Sequence, residues 1–101
     1  MLINFLIKGE ILHASFHSDL HFETSHQLET ELTDFNLKDH VRKVTIDFSK
    51  VRFVDSSGIS LLLKWIHPMT RKVEVELIHV SEPVQNILKI CKLDQFATIR
   101  P

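Results

Sequence analysis

Residues 43–66 read KVTIDFSKVRFVDSSGISLLLKWI, and this stretch decides the fold. Residues 43–48 alternate apolar and polar side chains, which predicts a strand with one buried face, and residues 52–54 continue as a short extended segment. Apolar side chains then recur every three or four residues, which predicts an amphipathic helix. Its expected buried stripe is Ile59, Leu62, Leu63 and Ile66. Asp55 or Ser56 is the expected N-cap, and Pro68 should end or kink the helix near His67.

The rest of the chain continues this alternation of strands and helices. In chain order the other predicted elements are a hairpin of residues 2–7 and 11–16, a helix within 22–36, a strand at 73–79, a helix that begins at Ser81 and a short strand at 96–99. Strand–helix–strand units of this length favour right-handed crossovers between parallel neighbours. We therefore expect one α/β domain over residues 1–101, with a mixed sheet of four to five strands and amphipathic helices mainly on one face.

Composition excludes several classes of protein. The 101 residues are 44% hydrophobic and 25% charged, and their net charge of -1 gives no general attraction to nucleic acid or to an anionic membrane. Cys91 is the single cysteine, which excludes an internal disulfide and a cysteine-based zinc site; its place in the stripe of the last helix predicts a small core residue. Because neither a membrane span nor a signal peptide is recognisable, we expect a cytoplasmic protein without cofactors.

The segment Asp55-Ser56-Ser57-Gly58 carries the main functional hypothesis. Its side chains could simply cap the helix, since Asp and Ser oxygens accept hydrogen bonds from the unpaired N–H groups of the first turn. A phosphate on one of the serines would face free N–H groups and the positive end of the helix dipole. It would repel a partner docking there without unfolding the domain. The same helix start could instead hold a small anionic ligand or a nucleotide.

A family resemblance rests on this segment and its surroundings. The shared pattern combines a strand with an internal acid, Ile46-Asp47-Phe48, with the element Val54-Asp55-Ser56-Ser57-Gly58-Ile59 and its helix. A Ser-x-Pro-Val helix start at 81–84 and a Leu-x-x-Phe ending at 93–96 follow. In these features the chain resembles the STAS family, the sulfate transporter and anti-sigma factor antagonist domains. The match is strong over residues 40–100 and rests on pattern alone before that.

The resemblance implies a fold and a mode of action. STAS domains have a mixed sheet of four or five strands with helices mainly on one side. In bacterial anti-sigma factor antagonists, a serine of this element is phosphorylated by a partner that is both a serine kinase and an anti-sigma factor, and phosphorylation ends the binding. Carried over to this chain, the resemblance implies phosphorylation at Ser56, with Ser57 as second choice. It also implies regulation of transcription through protein–protein contacts at Asp55, Ser56, Ser57 and Gly58.

The chain also departs from the family pattern. Antagonists usually carry a Gly-Glu-[LIV]-Asp segment whose acid helps to form the partner surface, and here that place reads Ser18-Asp19-Leu20-His21. His21 thus stands where the acid is expected, among the candidate partner-binding residues. A second branch of the family is the STAS subunit of a phospholipid-transport ABC system, which binds its ATPase. That branch and a small-ligand or nucleotide-sensing module are the alternative interpretations.

Leu61 and Trp65 extend the hypothesis to the helix surface. They lie four residues apart and off the predicted stripe, so an outward orientation would make them the apolar centre of a docking face beside Ser56. The other interpretation is that they cover an edge of the core. The chain is expected to be a monomer or a weak dimer.

Neither metal binding nor serine hydrolysis is expected from this sequence. His13, His17 and His21 recur every four residues, but they span a strand and a loop, so surface histidines are expected rather than a metal site. A serine hydrolase would need a base, an oxyanion hole and a G-x-S-x-G turn, and none is recognisable. We therefore expect no enzymatic activity.

Overall fold

A five-stranded sheet forms the centre of the structure, a computed structural model that describes all 101 residues. Its strands are β1 (Ile3–Lys8), β2 (Ile11–Phe16), β3 (Lys43–Asp47), β4 (Glu74–Ile78) and β5 (Thr98–Ile99). They lie in the order β1-β2-β3-β4-β5; β1 and β2 are antiparallel, and β2 to β5 are parallel. The hairpin turns at Gly9, whose φ of 60° is readily adopted by glycine. The predicted α/β class and mixed sheet are confirmed.

Three helices connect the parallel strands. They are α1 (Phe22–Thr33), α2 (Ser56–Met69) and α3 (Glu82–Ile90), and a short 3₁₀ turn follows at Leu93–Gln95. Every crossover advances by one strand in the same direction, so right-handed connections place all three helices on one face of the sheet. The strand burial agrees, because Leu12, Val44 and Val75 lie side by side and are buried on the helix side.

The helix α2 is buried on a wider face than the sequence predicted. Leu61 is 3% exposed and Trp65 is 8% exposed, so the docking face expected from these two residues is wrong. Trp65 makes edge-on contacts with Phe5, Phe16 and Phe35, with ring centroids 5.6 to 6.2 Å apart. The physical reason is that α2 packs against both the sheet and α1, and one narrow stripe cannot cover two neighbours.

Two helix ends also differ from expectation. α2 continues through Pro68 to Met69, and the Thr70 N–H still reaches the Ile66 carbonyl at 3.1 Å. α3 ends at Ile90, and the following Cys91 is exposed instead of buried. The expected stripe fails there because the chain leaves the helix: Lys92 adopts a left-handed conformation with φ of 65°. None of the helices has the length and the apolar character that a bilayer crossing requires.

Candidate functional site

The site begins where the chain segments after β2 and β3 run side by side. Leu20 and Val54 form an isolated parallel bridge beyond the strand ends. The Leu20 N–H donates to the Phe53 carbonyl at 3.0 Å, and the Asp55 N–H donates to the Leu20 carbonyl at 3.0 Å. Because α1 and α2 start directly after these two segments, the bridge brings the N-termini of both helices together.

A single carboxylate caps both helices. The Asp55 Oδ1 atom accepts hydrogen bonds from the N–H groups of Ser57 at 2.8 Å and Gly58 at 3.0 Å in α2. The Asp55 Oδ2 atom accepts from the N–H of Phe22, the first residue of α1, at 3.0 Å. These hydrogen bonds hold the pKa of Asp55 below its ordinary value, and the bond from the Gly58 N–H has the largest effect. Of the two expected N-caps, Asp55 and Ser56, the structure has Asp55 at the start of α2, and the bond of Asp55 to α1 is an additional finding.

Capping by Asp55 changes the expectation about free N–H groups. A phosphate or an anionic ligand was expected to meet free N–H groups at the start of α2. The N–H groups of Ser57 and Gly58 already donate to the Asp55 carboxylate. An anion at the start of α2 would therefore lie beside Asp55 instead of replacing it. The hypothesis of a small-anion pocket loses its main physical support, because the helix dipole is already offset by a fixed negative charge.

Gly58 is required by a close approach of two segments. A β-carbon at this position would lie 2.3 Å from the carbonyl oxygen of Leu20 and 2.8 Å from its Cβ atom. The neighbouring atoms are backbone and a fully buried side chain, so they cannot move aside cheaply. The glycine therefore lets α2 begin against the Leu20 segment.

Replacement of Gly58 by alanine is expected to destabilise the protein. In an unobstructed helix alanine is more favourable than glycine by about 1 kcal/mol. Here the clash with Leu20 should reverse that sign, and we expect the free energy of unfolding to fall by about 1–3 kcal/mol. Urea denaturation of Gly58→Ala against wild type measures it, with Ser60→Ala in the next turn as a control. A more stable Gly58→Ala protein would show that the two segments can separate at little cost.

Asp19 and His21 hold the first of the two segments. The Asp19 Oδ1 atom accepts from the N–H groups of Arg52 at 2.7 Å and Phe53 at 3.2 Å. The half-buried His21 is the N-cap of α1. Its side-chain Nδ1 atom accepts from the Glu23 N–H at 3.2 Å, and its backbone N–H donates to Thr24 Oγ1 at 3.1 Å. The structure therefore gives His21 a capping role, and its role in partner binding stays a prediction.

The two candidate phosphorylation sites differ in exposure. Ser56, the first residue of α2, is exposed, whereas Ser57 is half-buried. A shallow groove between the first turns of α1 and α2 includes both of them. The groove is lined by Phe22, Glu23, Ser25, His26, Glu29, Ser56, Ser57 and Ser60. Neither a lysine nor an arginine is among these lining residues, and two of them are acidic.

Two exposed aromatic side chains flank the site, and neither was among the residues predicted to form it. Phe22 is 77% exposed and Phe53 is 52% exposed. Both are held in place through their backbone, because the Phe22 N–H donates to Asp55 and the Phe53 N–H donates to Asp19. The available signal was their position directly next to the two segments.

The histidines weighed as metal ligands have separate tasks. His13 contacts the hydroxyl of Thr45 with its Nδ1 atom at 2.8 Å, and His21 caps α1. The structure holds no group of three or more histidine, cysteine, aspartate or glutamate side chains arranged to bind a metal ion.

The profile of the STAS domain matches residues 3–101, so the chain belongs to the STAS family. Its fold is similar to that of a candidate anti-sigma factor antagonist, TM1081 of Thermotoga maritima, with 18% identity, a TM-score of 0.81, and 98% of this chain and 86% of that chain covered. Phosphorylated SpoIIAA, a cell fate determinant of Bacillus, has 15% identity and a TM-score of 0.66, with 96% and 89% covered. The murine anion transporter Slc26a9 has 20% identity and a TM-score of 0.78, with 93% of this chain but 16% of the transporter covered.

These likenesses establish the fold. At 15–20% identity they do not by themselves assign a partner to this chain. No curated protein is significantly similar to it in sequence. The STAS fold of the antagonists is typically that of a non-enzymatic regulatory domain that acts through protein partners.

Proposed function

We propose that this chain is a cytoplasmic anti-sigma factor antagonist that binds an anti-sigma factor with serine kinase activity and is released when Ser56 is phosphorylated. The observation that carries the proposal is the position of Ser56, exposed at the first residue of α2 between two capped helix starts. SpoIIAA, one of the proteins with a similar fold, is an anti-sigma factor antagonist and is found in phosphorylated and unphosphorylated forms. That parallel supports the same switch in this chain.

The scaffold around Ser56 supports a switch that acts on binding alone. Asp55 fixes the starts of α1 and α2, and none of its hydrogen bonds involves the Ser56 hydroxyl. A phosphate on that hydroxyl would therefore leave the caps in place. It would add about -1.5 to -2 charges at neutral pH.

The groove has no lysine or arginine that would balance this added charge. Glu23 and Glu29 line the groove with Ser56, and His26 is the only side chain of the lining that could carry a positive charge. Lys64 contacts Glu29 at 3.8 Å, two turns further along α2 than Ser56. A phosphate would thus face the partner instead of an internal ion pair. It would repel an acidic partner surface, and against an apolar partner surface it would have to lose its hydration at a cost in binding free energy.

The apolar part of the docking surface is assigned to Phe22 and Phe53. Aromatic side chains are enriched among the residues that dominate binding energy, and exposed ones next to a functional segment are a common feature of interfaces. The backbone bonds to Asp55 and Asp19 fix the main chain of both residues before a partner arrives. Little backbone conformational entropy is then lost on binding. In this proposal they replace Leu61 and Trp65, which are buried.

The proposal is tested by phosphorylation in vitro. We expect an anti-sigma factor/serine kinase from the same genome, with Mg²⁺ and ATP, to add one phosphate to the chain. Tandem mass spectrometry should place the phosphate on Ser56, and the complex should dissociate. Ser56→Ala should abolish the modification, whereas Ser57→Ala, the matched control one residue away, should retain it.

Other outcomes would overturn parts of the proposal. Phosphate on Ser57 alone would overturn the assignment to Ser56. An absence of modification, together with co-purification of an ABC ATPase from the native organism, would instead indicate the transporter branch of the family.

A further inference from the structure

The outer edge of β1 has no strand partner. β1 pairs with β2 on one side only, and no strand lies on its other side. Phe5, Leu6 and Ile7 are 40%, 55% and 40% exposed. Edge strands are usually protected from association by charged side chains, prolines or bulges. Between residues 3 and 7 this strand has none of these, and its one charge, Lys8, lies at the hairpin end.

The hydrogen-bond register shows which backbone groups of β1 are free. The His17 N–H donates to the Leu2 carbonyl at 2.8 Å, so residue 2 faces β2. In an antiparallel pair this orientation alternates, so residues 4, 6 and 8 also face β2, and residues 3, 5 and 7 face the open edge. The Glu31 carboxylate accepts from the Ile3 N–H at 3.2 Å. The N–H and C=O groups of Phe5 and Ile7 thus remain without a strand partner.

We propose that a second copy of this chain occupies that edge, with the two β1 strands antiparallel about a two-fold axis at Leu6. In this register Leu6 lies opposite Leu6 of the second copy, and Phe5 lies opposite Ile7 of the second copy. Each of the two Phe5–Ile7 pairs exchanges two backbone hydrogen bonds, so the four unpaired groups of each chain are all used. The two sheets become one continuous sheet of ten strands.

The side chains are self-complementary in the same register. Leu6 lies on the sheet face without helices, where it would contact its own copy. Phe5 and Ile7 lie on the helix side, next to a groove that also includes the apolar Leu12 and Phe35. The charged Glu31, Asp34 and Lys38 line the same groove. An aromatic residue opposite a β-branched one is a favourable cross-strand pair. Because an isologous contact must match the same patch to itself, this agreement favours a second copy over an unrelated strand.

The expected dimer is weak. A single strand pairing buries much less than the roughly 800 Å² per partner of a standard stable interface. We therefore expect a monomer–dimer equilibrium that depends on protein concentration. The residues that line the groove around Ser56 do not belong to this edge, so the inference does not depend on the proposed function.

Cysteine cross-linking tests the register. In a Cys91→Ser background, Leu6→Cys should form a disulfide-linked dimer under mild oxidation, because directly opposed residues of such a pair have Cα atoms about 4.5 Å apart. Asn4→Cys is the matched control on the same face. Asn4 would face Lys8 of the second copy, and the two Asn4 positions would be about 13 Å apart, too far for a disulfide. Cross-linking of Asn4→Cys as efficient as that of Leu6→Cys would overturn the register.

Sedimentation velocity tests the dimer itself. The wild-type chain should shift from monomer towards dimer as its concentration rises to about 0.5 mM, a range suited to weak association. Leu6→Lys should remain monomeric there with an unchanged melting temperature, whereas Ile90→Lys, at a 78% exposed position on α3, should dimerise as the wild type does. A wild-type chain that stays monomeric would overturn the proposal and would instead indicate that a strand of another protein pairs with β1. A dimer that persists in Leu6→Lys would also overturn the proposal.

Discussion

Replacing Trp65 by alanine is expected to lower the free energy of unfolding by about 3–5 kcal/mol, the usual cost of removing a large buried aromatic side chain. Trp65 packs edge-on against Phe16 at 5.9 Å and Phe35 at 5.6 Å, so its removal leaves a cavity and also breaks favourable ring contacts. For a chain of this size the melting temperature should fall by at least about 12 °C. Differential scanning calorimetry measures the change.

Two controls separate packing from other effects. Phe22→Ala removes an aromatic side chain that is 77% exposed, so the stability should change by no more than about 0.5 kcal/mol. Trp65→Phe removes the indole Nε1, which is buried without a hydrogen-bond acceptor, and keeps an aromatic ring in place. Trp65→Phe should therefore lower the free energy of unfolding by well under half as much as Trp65→Ala does. A Trp65→Ala protein that melts within a few degrees of wild type would mean that this side chain lies outside the core.

The case of Trp65 shows what periodicity can and cannot predict. Apolar spacing located α2 and identified its apolar character, but it did not determine how far around the helix the buried face extends. Ile59 and Leu63, placed in the predicted stripe, are half-buried, whereas Leu61 and Trp65 are buried. The rotation and width of a buried face depend on the neighbouring elements, here α1 and the sheet, and local sequence does not encode their positions.

Local signals worked best where the interacting groups are close in sequence. The Asp55 cap on Ser57 and Gly58 spans two or three residues, and residue type alone narrowed the N-cap to Asp55 or Ser56. The bond from Phe22 to Asp55 spans 33 residues, and the contact of Gly58 with Leu20 spans 38. Both require the parallel arrangement of two loop segments, which follows from the order of the strands. The same limit explains why Asp19 was not recognised as part of the site.

Ser56→Glu is expected to weaken binding of the proposed anti-sigma factor partner by at least about 100-fold, because a fixed negative charge in a closed interface costs several kcal/mol when no opposite charge receives it. Glu23 and Glu29 already line the groove, so the new carboxylate adds to an acidic surface. Isothermal titration calorimetry with the purified anti-sigma factor measures the change. The thermal stability of the variant should remain close to that of wild type, since the Asp55 bonds do not involve the Ser56 side chain.

Ser81→Glu provides the matched control, since Ser81 is exposed at the start of α3 and makes no side-chain cap hydrogen bond. It places the same charge at a helix start outside the groove, and affinity should stay within about 3-fold of wild type, the scale of a charge at the rim of an interface. Phe22→Ala, in contrast, should reduce affinity by about 30-fold without adding any charge, as expected for an aromatic anchor. If both glutamate variants weakened binding equally, the effect would come from net charge, and the surface around Ser56 would not be the docking site. If Ser56→Glu and Phe22→Ala both bound as wild type does, the partner would have to dock on another face of the domain.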